Sequence, residues 1–293
     1  MPTVKQTAAL DAAPCEIRTD DLARMLYATD ASIYQVRPDA VAFPKSPEEA
    51  SAAILAAADA GLPVIPRGAG TGLAGGAVGD GLVIDFSRYN RRIWDLDLDK
   101  ATVRVQAGVV LDQLNAFLKP HGYGFGPDVA TSARATLGGM IANNSSGAHA
   151  PVHGTTAEHI VSLEVVLADG RIETIGADHP ALAAENERVR QLVEKHAALI
   201  DQWFPNILMK RWPGYGLDRY LRAPGDLCKI VSGSEGTLAG IFSAELRIVP
   251  LPSDITAMVL VFFDSVAEAM EATVEFAGLE PAAIEHVDRM LFD

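Results

Sequence analysis

The chain has 293 residues, 49% of them hydrophobic and 21% charged, and a formal charge of −14. That composition excludes wholesale disorder and leaves room for two domains or for one large α/β unit with an appendage. The acidic balance, with no stripe of Lys and Arg, argues against a nucleic-acid partner, because backbone phosphates are bound by clustered cations. An anionic ligand would have to be held by main-chain N–H groups and helix N-termini, which attract phosphate whatever the net charge. Cys15 and Cys228 are far apart and fit no metal-ligand spacing, which points to free thiols in a reducing compartment. No signal peptide is recognisable, and no apolar run approaches the ~20 residues of a bilayer span. The expected location is cytoplasmic, with peripheral membrane contact left open.

In chain order, residues 1–37 are polar and small apart from one amphipathic stretch at 20–27, read as a lead-in helix on the outside of the main domain. Ser46-Pro47-Glu48-Glu49 supplies an N-cap, a proline at the first helical position and a capping-box acid for an Ala-rich helix ending near Gly61. Short apolar strands follow at 62–66 and 82–86, with a glycine-rich loop at 67–81 between them, and alternation predicts a hairpin from 93–98 and 101–106. Helical periodicity marks 111–118 and 136–143. A second hairpin, 160–168 with 171–175, turns on Asp169-Gly170.

Residues 180–200 read as one long amphipathic helix, 203–226 as irregular, and 240–249 as a strand. Pro250-Leu251-Pro252 is the expected domain border. Beyond it lie a strand at 257–263, a helix capped by Ser265 with Glu268, and a strand at 282–287, which is too little to close a sheet. The expected organisation is a lead-in at 1–36, a main domain at 37–252 and the truncated beginning of a second α+β unit at 253–293.

The segment 66–76 reads P-R-G-A-G-T-G-L-A-G-G, and Gly70-x-Gly72-x-x-Gly75 matches the dinucleotide fingerprint. A Rossmann unit needs a helix directly after the third glycine, and here the next strand begins at Leu82. The NAD reading therefore fails for lack of space, and the anion must be met by the loop's own amides. A glycine-rich connection without any ligand is the bland alternative. Arg67 could serve as a surface ion pair or as an anchor for the loop.

With order and spacing taken together, four blocks carry a resemblance across about residues 37–252. They are 66–76; Pro127-Asp128 with Thr131; A-T-L-G-G-M-I-A-N-N-S-S-G at 135–147; and G-S-E-G-T-L-A-G-I at 233–241. They resemble the FAD-binding (PCMH) domain of the vanillyl-alcohol oxidase type, in the branch of glycolate oxidase flavoproteins, D-lactate dehydrogenases and D-2-hydroxyglutarate dehydrogenases. The implied fold is α+β: a two-subdomain FAD-binding domain followed by the start of an α+β cap. The Asn143-Asn144-Ser145-Ser146-Gly147 variant is most similar to long bacterial members whose flavin half precedes an iron–sulfur half. Such a cluster would belong to a C-terminal region absent here.

By this resemblance Pro66, Arg67, Gly68, Ala69, Gly70, Thr71, Gly72 and Gly75 cradle the FAD pyrophosphate. Pro127, Asp128 and Thr131 approach the cofactor, and Thr136, Gly138 and Gly139 place a helix start near the ribityl and phosphate groups. Asn143, Ser146 and Gly154 belong to the same wall, and the main chain of Ile160 faces the pyrimidine edge. Glu235 and Gly236 complete the set, Glu235 being alternatively a cap of its own turn. Relatives with covalent flavin carry a His where Thr71 stands, so the FAD here is expected to be noncovalent.

His149 and His153 suit loop histidines better than metal ligands, with Pro151 between them and no third ligand. Trp203, Trp212, Tyr215 and Tyr220 fit packing or a substrate entrance. Lys210 and Tyr215 fall in a segment similar to a substrate-side region of the family, from which Arg211 and Trp212 depart. His286 reads as structural, and no catalytic base is assigned. The implied reaction is oxidation of a D-2-hydroxy acid, with electrons passing on to a quinone, an electron-transfer protein or the enzyme's own iron–sulfur half. A noncatalytic nucleotide-binding module and a flavin reductase of a sugar-nucleotide enoyl ether stay open as alternatives.

Overall fold

The structure, a computed structural model, describes residues 3–204, 214–252 and 255–291. The first sheet has strands β1 (Glu16–Arg18), β2 (Ala40–Phe43), β3 (Val64–Arg67) and β4 (Leu82–Asp85) in the order β1-β2-β4-β3. β1 runs antiparallel to β2, and the other pairs are parallel. Helices α1 (Val4–Asp11) and α2 (Asp21–Leu26) precede β2, and α3 (Pro47–Ala60) links β2 to β3.

The signals read for α3 act as read. The Ser46 hydroxyl accepts from Glu49 N at 3.3 Å, and Gly61 ends the helix in the left-handed region at φ 66°. Parallel neighbours need a crossover, usually a helix. Between β3 and β4 the crossover is instead the glycine-rich loop at 68–81, which contains only turns and bends.

The second sheet is antiparallel throughout, in the order β10-β9-β8-β11-β6-β5. Its strands are β5 (Ile93–Asp97), β6 (Thr102–Gln106), β8 (Ile160–Leu167), β9 (Ile172–Gly176), β10 (His179–Pro180) and β11 (Ala239–Arg247). β7 (Tyr123–Gly124) and β12 (Val249–Pro250) form a separate two-residue ladder. Helices α4 (Leu111–Leu118), α5 (Leu137–Asn143), α6 (Ala150–His153), α7 (Ala183–Lys195), α8 (Ala197–Trp203), α9 (Leu217–Arg222) and α10 (Cys228–Val231) accompany this sheet, and α11 (Val266–Ala277) follows it.

Leu114, Leu118, Leu137, Ile141, Val193 and Tyr220 share one buried core with Val105, Leu163 and Leu246 of the sheet. A second core puts Ala50, Ala53 and Ala57 of α3 together with Ala42 and Ile84 of the first sheet and with Val166 and Phe242 of the second. The Ser51 hydroxyl also donates to Gly170 O at 2.7 Å. Small side chains on α3 thus let one helix seat both sheets, and that junction fixes the relation between β3, β4 and β11.

Four expectations change. The lead-in is more than an outer helix: α1 packs on α3, and residues 16–18 add strand β1 to the first sheet. The single helix expected at 180–200 breaks at His196, whose φ of −112° leaves the helical region, and the break turns both Val193 and Ile200 into the core. Part of the segment read as irregular is α9, which buries Tyr220 with its hydroxyl on Asn186 O at 3.1 Å. The strands expected at 257–263 and 282–287 are not formed, although α11 is, with Ser265 accepting from Glu268 N at 3.2 Å. Alternation favours a strand only where a neighbouring strand pairs its N–H and C=O groups, and these residues have no ladder among the described residues.

Candidate functional site

A cavity of about 590 Å³ opens between the two sheets, walled by the loop after β3, the start of α5, the end of β6 and the start of β11. Its size lies in the range of small-molecule sites. Pro66, Arg67, Gly68, Ala69, Gly70, Thr71, Gly72, Thr131, Thr136, Gly138, Gly139, Asn143, Glu235 and Gly236 all line it. Gly75, Pro127, Asp128, Ser146, Gly154 and Ile160 do not. Gly75 lies against the Tyr34 ring, and Ile160 is 3% exposed with its side chain in the core. Walls that the sequence did not single out include Phe86, Ala107 and Val129.

Main-chain donors dominate the loop face of the cavity. Among the described residues, none of the amides from Gly68 to Gly76 has an acceptor within the protein. Uncommitted N–H groups on a concave, glycine-rich backbone form an anion receptor. Arg67 anchors this backbone instead of supplying a free charge. Its Nη1 donates to Ala77 O at 2.9 Å, its Nη2 to Thr29 O at 2.7 Å, and its guanidinium lies 5.2 Å from the Tyr27 ring centre. Burial depresses its pKa, and Tyr27 and Asp30 partly offset that. Tyr27 is itself hydrogen-bonded to Asp85, and its pKa is raised by burial and then by that bond.

Close backbone approach is built in at two glycines. A Cβ on Gly68 would sit 2.3 Å from Thr136 Oγ, and one on Gly138 would sit 2.6 Å from Ala107 Cβ. The loop therefore lies on the first turn of α5, and α5 lies on the end of β6. The helix start presents few free donors: Leu137 N and Gly138 N donate to Val109 O and Ala107 O at 2.8 Å, and Gly139 N donates to Thr136 Oγ at 3.4 Å. The helix start thus offers fewer uncommitted amides than the loop, and α5 contributes a small-residue wall.

The second glycine-rich block closes the far side. Gly233 N and Glu235 N donate to Ile141 O and Ala142 O at the end of α5, and Gly236, at φ 81°, lies against Pro66. Glu235 has a left-handed φ of 50° and accepts from Asn143 Nδ2 at 3.0 Å, so it bridges two cavity walls and does not merely cap its own turn. An acid here suits hydroxyl donors on a ligand.

Asp128 accepts from His149 N at 3.1 Å and pairs with His149 Nδ1 at 2.6 Å beside the cavity. The His153 pKa is lowered, first by burial and then by His159 and His149. Among the described residues no cluster of His, Cys, Asp or Glu could hold a metal ion. Both cysteines are free; burial pushes the Cys15 thiol up to about 11 and the Cys228 thiol higher still. Trp203 is 64% exposed, and Tyr215 bonds Thr237 at 2.8 Å near the second glycine-rich block. Lys210, Arg211 and Trp212 lie outside the described residues.

Amide donors without partners, glycines at contact points and a neutral, small-residue wall fit a dinucleotide with a diphosphate. Thr71, on the cavity wall, carries a hydroxyl and no imidazole.

Residues 38–176 match the family model described as "FAD binding domain". The chain is 38% identical over 282 residues to "D-2-hydroxyglutarate dehydrogenase" of Escherichia coli, covering 90% of this chain and 28% of that protein. It is 32% identical to "D-lactate dehydrogenase" of Archaeoglobus fulgidus, covering 84% and 46%, and 29% identical to "Glycolate oxidase subunit GlcD" of Bacillus subtilis, covering 98% and 53%. The solved structure of an alkyldihydroxyacetonephosphate synthase shares the fold, with a TM-score of 0.65 at 21% identity over 97% of this chain and 48% of that one. The chain thus spans little more than a quarter to about half of these relatives. Residues 38–176 carry an FAD binding domain, and the chain is homologous to D-2-hydroxyglutarate dehydrogenases, D-lactate dehydrogenases and GlcD glycolate oxidase subunits.

Proposed function

We propose that this chain is the FAD-holding part of an oxidoreductase that converts a D-2-hydroxy acid to the 2-oxo acid. The observation that carries the cofactor half of this reading is the run of amides without acceptors from Gly68 to Ala74, with that of Gly76, in the cavity wall. The names of the relatives support the substrate class, since all three are dehydrogenases or oxidase subunits of 2-hydroxy acids.

The loop amides would hold the diphosphate noncovalently, and Glu235 with Asn143 would meet hydroxyl groups of the bound cofactor. Thr131, Ala135, Thr136, Gly138 and Ala142 form a wall of small side chains against which the cofactor would pack. Bound FAD would supply the two-electron acceptor for the substrate's α-hydride, and the hydroxyl proton would go to a base. Keeping the cofactor fixed is the contribution of these residues. The electron acceptor is proposed to be a quinone, an electron-transfer protein or an iron–sulfur half of the same enzyme. We place the reaction in the cytoplasm, in keeping with two unpaired cysteines.

The test is anaerobic mixing of the FAD-loaded protein, in the polypeptide context in which the cell makes it, with glycolate and with the D and L forms of lactate and 2-hydroxyglutarate. Bleaching of the flavin by glycolate or a D acid, and by neither L acid, is expected. An FAD-loaded protein that none of them reduces contradicts the proposal.

A further inference from the structure

The loop amides can act as a receptor only if the loop is held open in that shape, and glycines lose more backbone entropy on ordering than any other residue. Apart from the seat of Gly68 on α5, what holds the loop comes from one place. Ala31 N donates to Gly70 O at 2.9 Å, Ala77 N donates to the Asp30 carboxylate at 3.4 Å, and Arg67 reaches from Ala77 O to Thr29 O. The Tyr34 ring lies beneath Gly75, where a Cβ would approach it to 2.6 Å. From Ala69 to Ala77, among the described residues, the loop's remaining hydrogen bond is its own turn from Val78 N to Gly75 O.

We propose that residues 27–34, which lie ahead of the segment matching the FAD binding domain, form a clasp that sets the shape of the diphosphate receptor, with Asp30 as its positioning residue. This rests on the FAD reading of the cavity given above. Asp30 does not itself line the cavity but bonds Ala77, which does. Its carboxylate accepts from Ser32 N at 2.8 Å as well as from Ala77 N, so one side chain fixes both the clasp and the far end of the loop. Its charge also faces Arg67, which has no carboxylate within ion-pair distance among the described residues. Preorganisation of this kind raises affinity by removing the ordering cost at the moment of binding. Because Asp30 acts on the loop, its loss should fall on ligands that carry a phosphate and spare the flavin ring.

The experiment compares FAD and riboflavin affinities of the whole chain and its Asp30→Asn variant, with thermal unfolding of each in the absence of flavin. The expected result is FAD binding weakened about tenfold or more, riboflavin binding changed less than twofold, and an unchanged unfolding temperature. Tyr34→Ala, which leaves Asp30 in place, should shift the FAD-to-riboflavin ratio in the same direction. Unchanged FAD affinity in both variants overturns the inference, and so does an equal loss for FAD and riboflavin, which would make the segment a general brace. A wild-type chain that binds no FAD overturns the cavity reading itself and this inference with it, and that outcome is visible before any variant is made.

Discussion

Residue by residue, the site is a set of backbone approaches that larger side chains would block. Gly68→Ala would place a methyl 2.3 Å from Thr136 Oγ, which requires the loop to lift from α5. Overpacking of this kind costs about 1–3 kcal/mol. FAD affinity should fall more than tenfold in a titration, and the unfolding midpoint should drop with it. Thr136→Ala removes only the cap on Gly139 N, at about 1 kcal/mol, so Thr136→Ser should restore stability. A midpoint unchanged by Gly68→Ala would show that the contact is not tight. The glycines themselves were legible in the sequence, because so dense a cluster is costly to order and marks a backbone that something must approach closely. The role of Arg67 was not, since an arginine bonded to three carbonyls looks the same in a sequence as one in an ion pair. Asp30 and Tyr34 were equally hidden, because their partners lie more than 40 positions away.

Among the elements, α3 and the loop after β3 carry the architecture. α3 was readable from Ser46, Pro47 and Gly61, because caps are local chemistry. That it seats both sheets was not readable, since Ala-rich helices look alike whatever they pack on. Ser51→Ala should cost about 1 kcal/mol through the lost bond to Gly170 O, measured by denaturant unfolding, and should leave FAD affinity unchanged. The break at His196 escaped the sequence because periodicity continues across it, and only the packing of Val193 and Ile200 demands the turn.

The segment from α6 to the start of β8 carries a pH signal. His153 has a pKa lowered from its ordinary value of 6.5, so the unfolded chain binds its proton more readily than the folded one. Stability is therefore full above about pH 6.5 and falls with pH until the folded pKa is passed. Melting temperatures should show that decline, and His153→Asn should flatten it. A decline of the same slope in the variant would assign it to other groups.

As a whole molecule, the described chain divides into a packed body up to residue 252 and an exposed stretch after it. Met258, Phe262 and Val274 are 84%, 80% and 77% exposed, whereas the sheets and α3 share continuous cores. We expect brief proteolysis to cut first within 255–291, and a chain ending at residue 252 to keep its unfolding midpoint and FAD affinity. The order of the four sequence blocks along the chain foretold that they would meet, and the cavity between the sheets is where they do. The strands at 257–263 and 282–287 did not follow from their pattern, because alternation specifies a face and a neighbouring strand must supply the ladder.

The most direct measurement is the affinity of the purified chain for FAD against FMN, which has the same ring and ribityl chain but a single phosphate. If the amides from Gly68 to Gly76 hold the diphosphate, FAD should bind at least about a hundredfold more tightly, a difference of roughly 2.7 kcal/mol, and should lift the unfolding temperature where FMN does not. Equal affinity for the two would contradict that role for the loop.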